Sequence, residues 1–240
     1  MLRLLIWDID GTVAETEALG HRVAFNRAFE EAGLPWHWDE AEYTGLLRVA
    51  GGRERVLAYM QRRDDVPADA EARETLVRQL RSRKNVFYAE QVAQGVLKAR
   101  PGVLRLMGEC ASEGVALAVA TTSSRANVQA LMTRLLGADW QQRFAAVVCA
   151  EDAQAKKPDP EVYRLALQRS GVPAYEAFAL EDSPDGLNAA LAAGIACGVT
   201  RSSAFADASF DGAVWVRDDL KSHPAVDLAS IRRSLRHCSD

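Results

Sequence analysis

LRLLIWDIDGT, residues 2–12, opens on an apolar run and closes on two carboxylates, a glycine and a threonine. The unbroken apolar stretch from Leu4 to Trp7 has no polar alternation, the pattern of a strand covered on both faces. Gly11 supplies a turn directly behind it. Outward from this stretch, short apolar runs recur at 115–120 (VALAVA), 145–150 (AAVVCA), 177–180 (AFAL), 195–199 (IACGV) and 213–216 (AVWV). Each has the length of a strand. Helical patterns separate them at roughly 101–113, 125–136, 160–170 and 184–193. Strands alternating with helices predict an α/β fold, a parallel sheet with crossover helices on both faces.

Between residues 16 and 98 the pattern changes. No strand-like run occurs there, and helical stretches are expected at 16–33, 51–63 and 69–95. The first stops at Gly33-Leu34-Pro35 and the second near Asp64-Asp65-Val66-Pro67, both good termination signals. Arg100-Pro101-Gly102 marks the return to the alternating pattern. The expected organisation is a core of residues 1–15 and 99–240 interrupted by an all-helical insertion, residues 16–98. Trp36 and Trp38 are expected to pack that insertion rather than to meet a ligand.

Composition narrows the function classes. The 240 residues include 29 Lys+Arg and 33 Asp+Glu, a net charge of −4. With 48% hydrophobic and 26% charged residues the chain can bury a core, which excludes a disordered protein. Without a basic excess, a nucleic-acid partner is not expected. The apolar runs are far shorter than the ~20 residues that span a bilayer, so no membrane association is expected. Asp8 and Asp10 interrupt the first apolar run too soon for a signal-peptide core. Cysteines stand at 110, 149, 197 and 238 with no CxxC pair, indicating neither a zinc site nor a disulfide framework. A reducing, cytoplasmic setting and a monomer acting on a small molecule are the expectations.

In open α/β sheets, ligands bind beyond the carboxyl ends of the strands. The first strand is followed by Asp8-Ile9-Asp10-Gly11-Thr12 and the second by Thr121-Thr122-Ser123-Ser124. Lys156-Lys157-Pro158 comes a little beyond the third, and Glu181-Asp182-Ser183-Pro184-Asp185-Gly186 follows the fourth. Taken singly, each has a plainer reading: a polar loop, a helix cap, a solvated turn. Together they deliver paired acids, hydroxyls and a lysine to one sheet edge, a set suited to phosphoryl transfer with a divalent cation. Mg²⁺ takes oxygen ligands from one or two carboxylates plus substrate phosphate. Lysine and hydroxyl donors hold the nonbridging oxygens. An aspartate can attack phosphorus, and a second can move the protons.

DIDGT, ALAVATTSS, KKPDPEVY and ALEDSPDG resemble the four motifs of the haloacid dehalogenase (HAD) superfamily. The helical insertion resembles that superfamily's C1 cap, in the group that includes β-phosphoglucomutase and phosphoglycolate phosphatase. The resemblance covers the chain to about residue 216 and implies a Rossmann-like HAD core with a helical cap. It makes Asp8 the nucleophile and Asp10 the general acid/base. Thr121, with Thr122 beside it, and Lys157 would hold the phosphoryl group. Asp8, the Asp10 carbonyl, Glu181 and Asp182 would bind Mg²⁺. A dehalogenase would need neither the second aspartate nor the metal, so Asp10 argues for phosphate chemistry.

Within the cap, AETEALGHRVAFNRAF, WHWDEAEYTGLLRVAGGRERV and RKNVFYAEQVAQGVLKARPG resemble the CbbY family, similar to phosphatases of xylulose 1,5-bisphosphate. By matching positions, Glu17, His21, Arg22, Gly52, Arg53, Arg55 and Lys84 would line the substrate side of the cap. Glu17 and His21 are four apart and so share a helical face. Arg53, Arg55 and Lys84 could meet a second, non-reacting phosphate, or be solvated surface. Three positions depart from the family pattern: Gly20, Arg53 where some relatives have Lys, and Asp185 where Asn is common. The implied activity is Mg²⁺-dependent hydrolysis of a sugar bisphosphate. A β-phosphoglucomutase-like mutase and a phosphoglycolate-phosphatase-like hydrolase are the alternatives.

Overall fold

The computed structural model describes residues 1–237, and Cys238 lies outside the described residues. In chain order the elements are β1 (Leu4–Trp7), a π-helical turn (Glu17–Arg22) running into α1 (Val23–Glu31), α2 (Glu40–Leu46), α3 (Gly52–Met60) and α4 (Ala70–Ala93). They continue with α5 (Val103–Ser112), β2 (Ala116–Ala120), α6 (Arg125–Leu136), β3 (Phe144–Val148) and α7 (Glu161–Ser170). The chain ends with β4 (Ala177–Glu181), α8 (Pro184–Ala192), β5 (Ala196–Thr200), β6 (Trp215–Arg217) and α9 (Leu228–His237). Two compact units result, one of Met1–Glu15 with the chain from Lys98 onward, the other Thr16–Leu97.

In the first unit, six parallel strands lie in the order β3-β2-β1-β4-β5-β6. The strand order reverses at β1, which therefore has β2 on one side and β4 on the other. The four residues of β1 are fully buried, as its unalternating sequence requires. On one face Leu4 and Ile6 pack with Ala118, Ala120, Val162, Tyr163 and Leu187. The third strand stops at Val148, short of the expected residue 150. Cys149 and Ala150 turn their amides to Asp152 Oδ2 (2.8 Å) and the Ser123 carbonyl (2.9 Å) instead of a ladder. The last strand is shifted to Trp215–Arg217 because Ala213 closes a turn onto the Phe210 carbonyl.

The second unit has helices and no strand among its described residues. Trp36 and Trp38 are buried in it. Trp38 packs against Phe25 (4.9 Å between ring centroids), Phe29 (4.8 Å) and Tyr59 (5.4 Å), so both tryptophans do pack this unit. Two helices escaped the periodicity reading. The helix α2 is seven residues long and buries only Tyr43 and Leu46, too few for a stripe. Its Asp39 cap, accepting from the Glu42 amide at 2.8 Å, was the available signal. The helix α9 lies beyond the last strand, in an arginine-rich stretch. Lys98, expected with the helical insertion, belongs to the sheet unit, because Ala99 already bridges Ala14. No helix among the described residues is long and apolar enough to cross a membrane.

Candidate active site

The strands β1 and β4 are neighbours, so the residues after each emerge side by side. Asp8, Glu181 and Asp182 are all buried, and each offers a carboxylate oxygen within 4.8 Å of the others. The Asp8 amide donates to the Leu180 carbonyl at 3.1 Å, which locks the Asp8 backbone to the strand carrying the acidic pair. Lys157 crosses beneath them. Its Nζ donates to Asp8 Oδ1 at 2.6 Å, Glu181 Oε1 at 2.6 Å and the Ala120 carbonyl at 2.9 Å. An ammonium has three hydrogens, and this one has three acceptors.

Close packing is possible because position 11 lacks a side chain. Gly11 has φ +80°, and a Cβ there would stand 2.0 Å from Asp182 Oδ2. Asp10 is half-buried in the same turn, and Thr12 is buried. Thr121 is buried at the end of β2, its amide on the Val148 carbonyl at 3.1 Å and its Oγ1 accepting from the Ser123 amide at 3.2 Å. Thr122 is half-buried beside it. The plain readings hold for neighbours of these residues: Ser124 caps α6 and Ser183 caps α8. Within each short motif one serine takes the cap and its neighbours stay at the strand end.

Electrostatics decide whether a cation belongs here. Three buried carboxylates and one ammonium leave two negative charges uncompensated. Burial pushes the Asp8 carboxyl up to about 8, against the pull of Lys157 and with the push of Glu181 and Asp10. Burial, then Asp8 and Glu181, drives Asp182 well above the ordinary carboxylate range. Lys157 is held above the ordinary lysine range: burial lowers it, but Asp8 and Glu181 more than offset this. An all-oxygen, over-negative donor set of this kind fits a hard divalent cation, which would favour the ionised carboxylates.

One residue of the site was not singled out from sequence. Tyr163, buried on α7, donates to Glu181 Oε1 at 2.6 Å, so Glu181 is gripped by Lys157 and Tyr163 together. The tyrosine sits within KKPDPEVY, but nothing in its spacing distinguishes a site residue from a core aromatic.

In the helical unit the expected residues fall into separate groups. Tyr43 donates to Glu17 Oε2 at 2.6 Å and accepts from Arg55 Nη1 at 3.0 Å, and Arg55 is buried. His21 is buried and stacks on Tyr88 (4.5 Å between centroids), while Lys84 Nζ lies 5.2 Å from the Tyr88 ring centre and 5.4 Å from that of Phe25. Gly20 makes that packing possible, since a Cβ would meet Tyr88 and Leu97 at 3.0 Å. The His21 amide bonds five residues back to the Thr16 carbonyl, the π-helical step that separates this turn from α1. Arg22 bonds Glu40 at 3.1 Å. Gly52 begins α3 over the Phe25 ring. Arg53 is 41% exposed and ion-paired with Glu74 and Glu54.

A family model described as haloacid dehalogenase-like hydrolase matches residues 2–194. Protein CbbY (plasmid) of Cupriavidus necator is 43% identical over 244 aligned residues, 96% of each chain. The chain belongs to the CbbY proteins of the haloacid dehalogenase-like hydrolases. It is a phosphoric monoester hydrolase. The crystal structure of CbbY from Rhodobacter sphaeroides in complex with phosphate superposes with a TM-score of 0.89 at 36% identity, covering 97% of this chain and 100% of that one. A mutant of the same protein in complex with xylulose-(1,5)bisphosphate gives 0.88 at 36% identity, covering 96% and 99%. A putative β-phosphoglucomutase from Thermotoga maritima is more distant, with 26% identity, a TM-score of 0.65 and 99% coverage of both chains.

Proposed function

We propose that this CbbY protein is an Mg²⁺-dependent phosphatase that converts a small sugar bisphosphate, xylulose 1,5-bisphosphate, to xylulose 5-phosphate through an aspartyl-phosphate on Asp8. The observation that carries the reading is the buried constellation of Asp8, Lys157, Glu181 and Asp182, with a second aspartate two residues beyond the first. The sugar bisphosphate bound to the Rhodobacter sphaeroides relative supplies the substrate class.

In this scheme an Asp8 carboxylate oxygen attacks phosphorus while the ester bond to the sugar oxygen breaks, and Asp10 passes its proton to that oxygen. Asp10, now a carboxylate, takes a proton from water as the water oxygen attacks the phosphoryl group. Inorganic phosphate leaves, and Asp8 is restored. Lys157 fixes the orientation of Asp8, and its ammonium with the Thr121 and Thr122 hydroxyls offsets charge on the phosphoryl oxygens. Asp8, the Asp10 carbonyl, Glu181 and Asp182 would hold Mg²⁺, which when bound neutralises the carboxylates and the substrate phosphate. Glu17, His21, Arg22, Gly52, Arg53 and Lys84 would recognise the sugar and its second phosphate, with Arg55 holding Glu17 and Tyr43 in place.

A screen of phosphate release with Mg²⁺ tests the reading. Xylulose 1,5-bisphosphate should be hydrolysed well ahead of ribulose 1,5-bisphosphate, phosphoglycolate and β-glucose 1-phosphate. Conversion of β-glucose 1-phosphate to an isomeric sugar phosphate without phosphate release would replace it with the mutase alternative.

A further inference from the structure

The turn after β1 that carries Asp10 is held from behind by a side chain outside all four strand-end motifs. Arg100 is buried on the segment by which the chain re-enters the sheet unit. Its Nη1 donates to the Gly11 carbonyl, to the Thr200 carbonyl at 3.0 Å and to Thr200 Oγ1 at 3.2 Å. Its Nη2 donates to the Arg201 carbonyl and to the Asp218 carbonyl at 2.7 Å. Nε lies 3.4 Å from Glu15 Oε1, and Glu15 accepts from Ser203 Oγ at 3.1 Å. The backbone adds to the knot, the Arg100 amide donating to the Val13 carbonyl at 2.8 Å.

A buried guanidinium is a costly way to join loops, since apolar packing does so without the desolvation. What only a planar fork of donors can do is hold several carbonyls at fixed directions. One of these, Gly11, belongs to the residue directly after Asp10. Its Cα is pressed against the Asp182 carboxylate on the other side, where a Cβ would come within 2.0 Å. Gly11 is thus held by Arg100 at its carbonyl and hemmed in by Asp182 at its Cα, and its amide nitrogen is bonded to the Asp10 carbonyl carbon. We infer that Arg100 is a positioning residue: by fixing Gly11 it sets where the Asp10 carboxyl delivers its proton. This rests on the proposed acid–base role of Asp10. Proton transfer needs heavy atoms about 2.6–3.2 Å apart, so a small drift of the turn is enough to weaken it.

The test compares leaving groups. Phenyl phosphate and p-nitrophenyl phosphate are close in size and lack a sugar or second phosphate. Phenolate is the poorer leaving group and depends more on protonation. Asp10→Asn serves as the reference and should lose far more kcat/KM, which reports the step that expels the leaving group, on phenyl phosphate than on the nitro ester. Arg100→Lys should show the same bias, with about 10- to 100-fold more kcat/KM lost on phenyl phosphate. Equal losses on the two esters, or no loss, in a folded Arg100→Lys protein would overturn the inference. If Arg100→Lys fails to fold, Thr200→Val removes one acceptor while keeping shape. It should give the same bias at about two- to fivefold, and an unbiased Thr200→Val would equally overturn the inference. Absence of the bias in Asp10→Asn itself would instead refute the acid–base reading, which separates the two failures.

Discussion

Replacing Lys157 by Met keeps the apolar stem of the side chain and removes its ammonium, so the loss it causes can be worked from the contacts. The Lys157 side chain is 6% exposed, and its ammonium pairs with Asp8 and Glu181 at 2.6 Å each. Without it, Asp8, Glu181 and Asp182 remain buried within 4.8 Å of one another with no cation. Breaking a buried ion pair from one side costs about 3–5 kcal/mol. For a chain of this size each kcal/mol lowers Tm by about 2–4 °C, so Lys157→Met should melt roughly 6–20 °C below the parent in EDTA. The carboxyls can recover part of the cost by taking up protons, so the deficit should widen as pH rises. Mg²⁺ stabilises both proteins, by about 2.7 kcal/mol at about 100 times the Kd, and narrows the deficit by the amount that loss of the ammonium tightens its binding, about 1.4 kcal/mol per tenfold. A second substitution, Asp8→Asn, removes one of the three opposing charges and should be less destabilising in Lys157→Met than in the parent. Thermal melts of the four proteins with and without Mg²⁺ measure all of this. A Lys157→Met protein melting within about 2 °C of the parent in EDTA at pH 8 would refute the reasoning.

Three further outcomes follow from the same geometry. Burial raises Asp8 to about 8 and Asp182 well above its ordinary range, so the metal-free folded state binds more protons than the unfolded chain from about pH 4 to 8. The unfolded-minus-folded proton count is then negative, and Tm in EDTA should fall across that window, less so in Asp8→Asn, with a rise counting against the buried cluster. Asp182→Ala should raise the Mg²⁺ concentration for half-maximal activity by at least about tenfold, roughly 1.4 kcal/mol of lost metal binding, and an unchanged requirement in activity titrations would place the metal elsewhere. Arg53→Ala should cost about 10- to 150-fold in kcat/KM on a sugar bisphosphate, equivalent to the roughly 1.5–3 kcal/mol of a charge-assisted contact, while p-nitrophenyl phosphate turnover stays nearly constant; equal losses on both would exclude a role at the second phosphate.

What could be read in advance, and what could not, follows from the range of the interactions involved. The strand β1 was legible because LLIW admits no exposed face, and its end placed Asp8. The same local logic placed Lys157, Glu181 and Asp182, because a sheet gathers its strand ends whatever happens elsewhere. The motif TTSS looked ambiguous between capping and chemistry only while it was treated as a unit. Ser124 takes the cap and leaves Thr121 at the strand end, so the capping reading applies to one residue and does not use up the other. Tyr163 was illegible because its hydroxyl matters only through Glu181, 18 residues away and on another element. The helical unit resists for a related reason. Arg53 and Arg55 look equivalent two residues apart, yet one is half-exposed on Glu74 and the other buried between Tyr43 and the Leu46 carbonyl.

That contrast bears on which arginine of the helical unit would meet a second phosphate. Arg55 has its charge engaged by Glu17 at 3.9 Å, its fork by Tyr43 and its Nε by the Leu46 carbonyl at 3.2 Å. To bind a phosphate directly it would have to give up hydrogen bonds inside a buried cluster, each loss leaving a desolvated partner. Arg53 gives up contacts to Glu74 and Glu54 that water can replace, because its side chain is 41% exposed. For an exchange of partners, the cheaper donor is therefore Arg53. Arg55 is better suited to hold Tyr43 and Glu17 in place, and its removal should be felt in folding before it is felt in substrate discrimination.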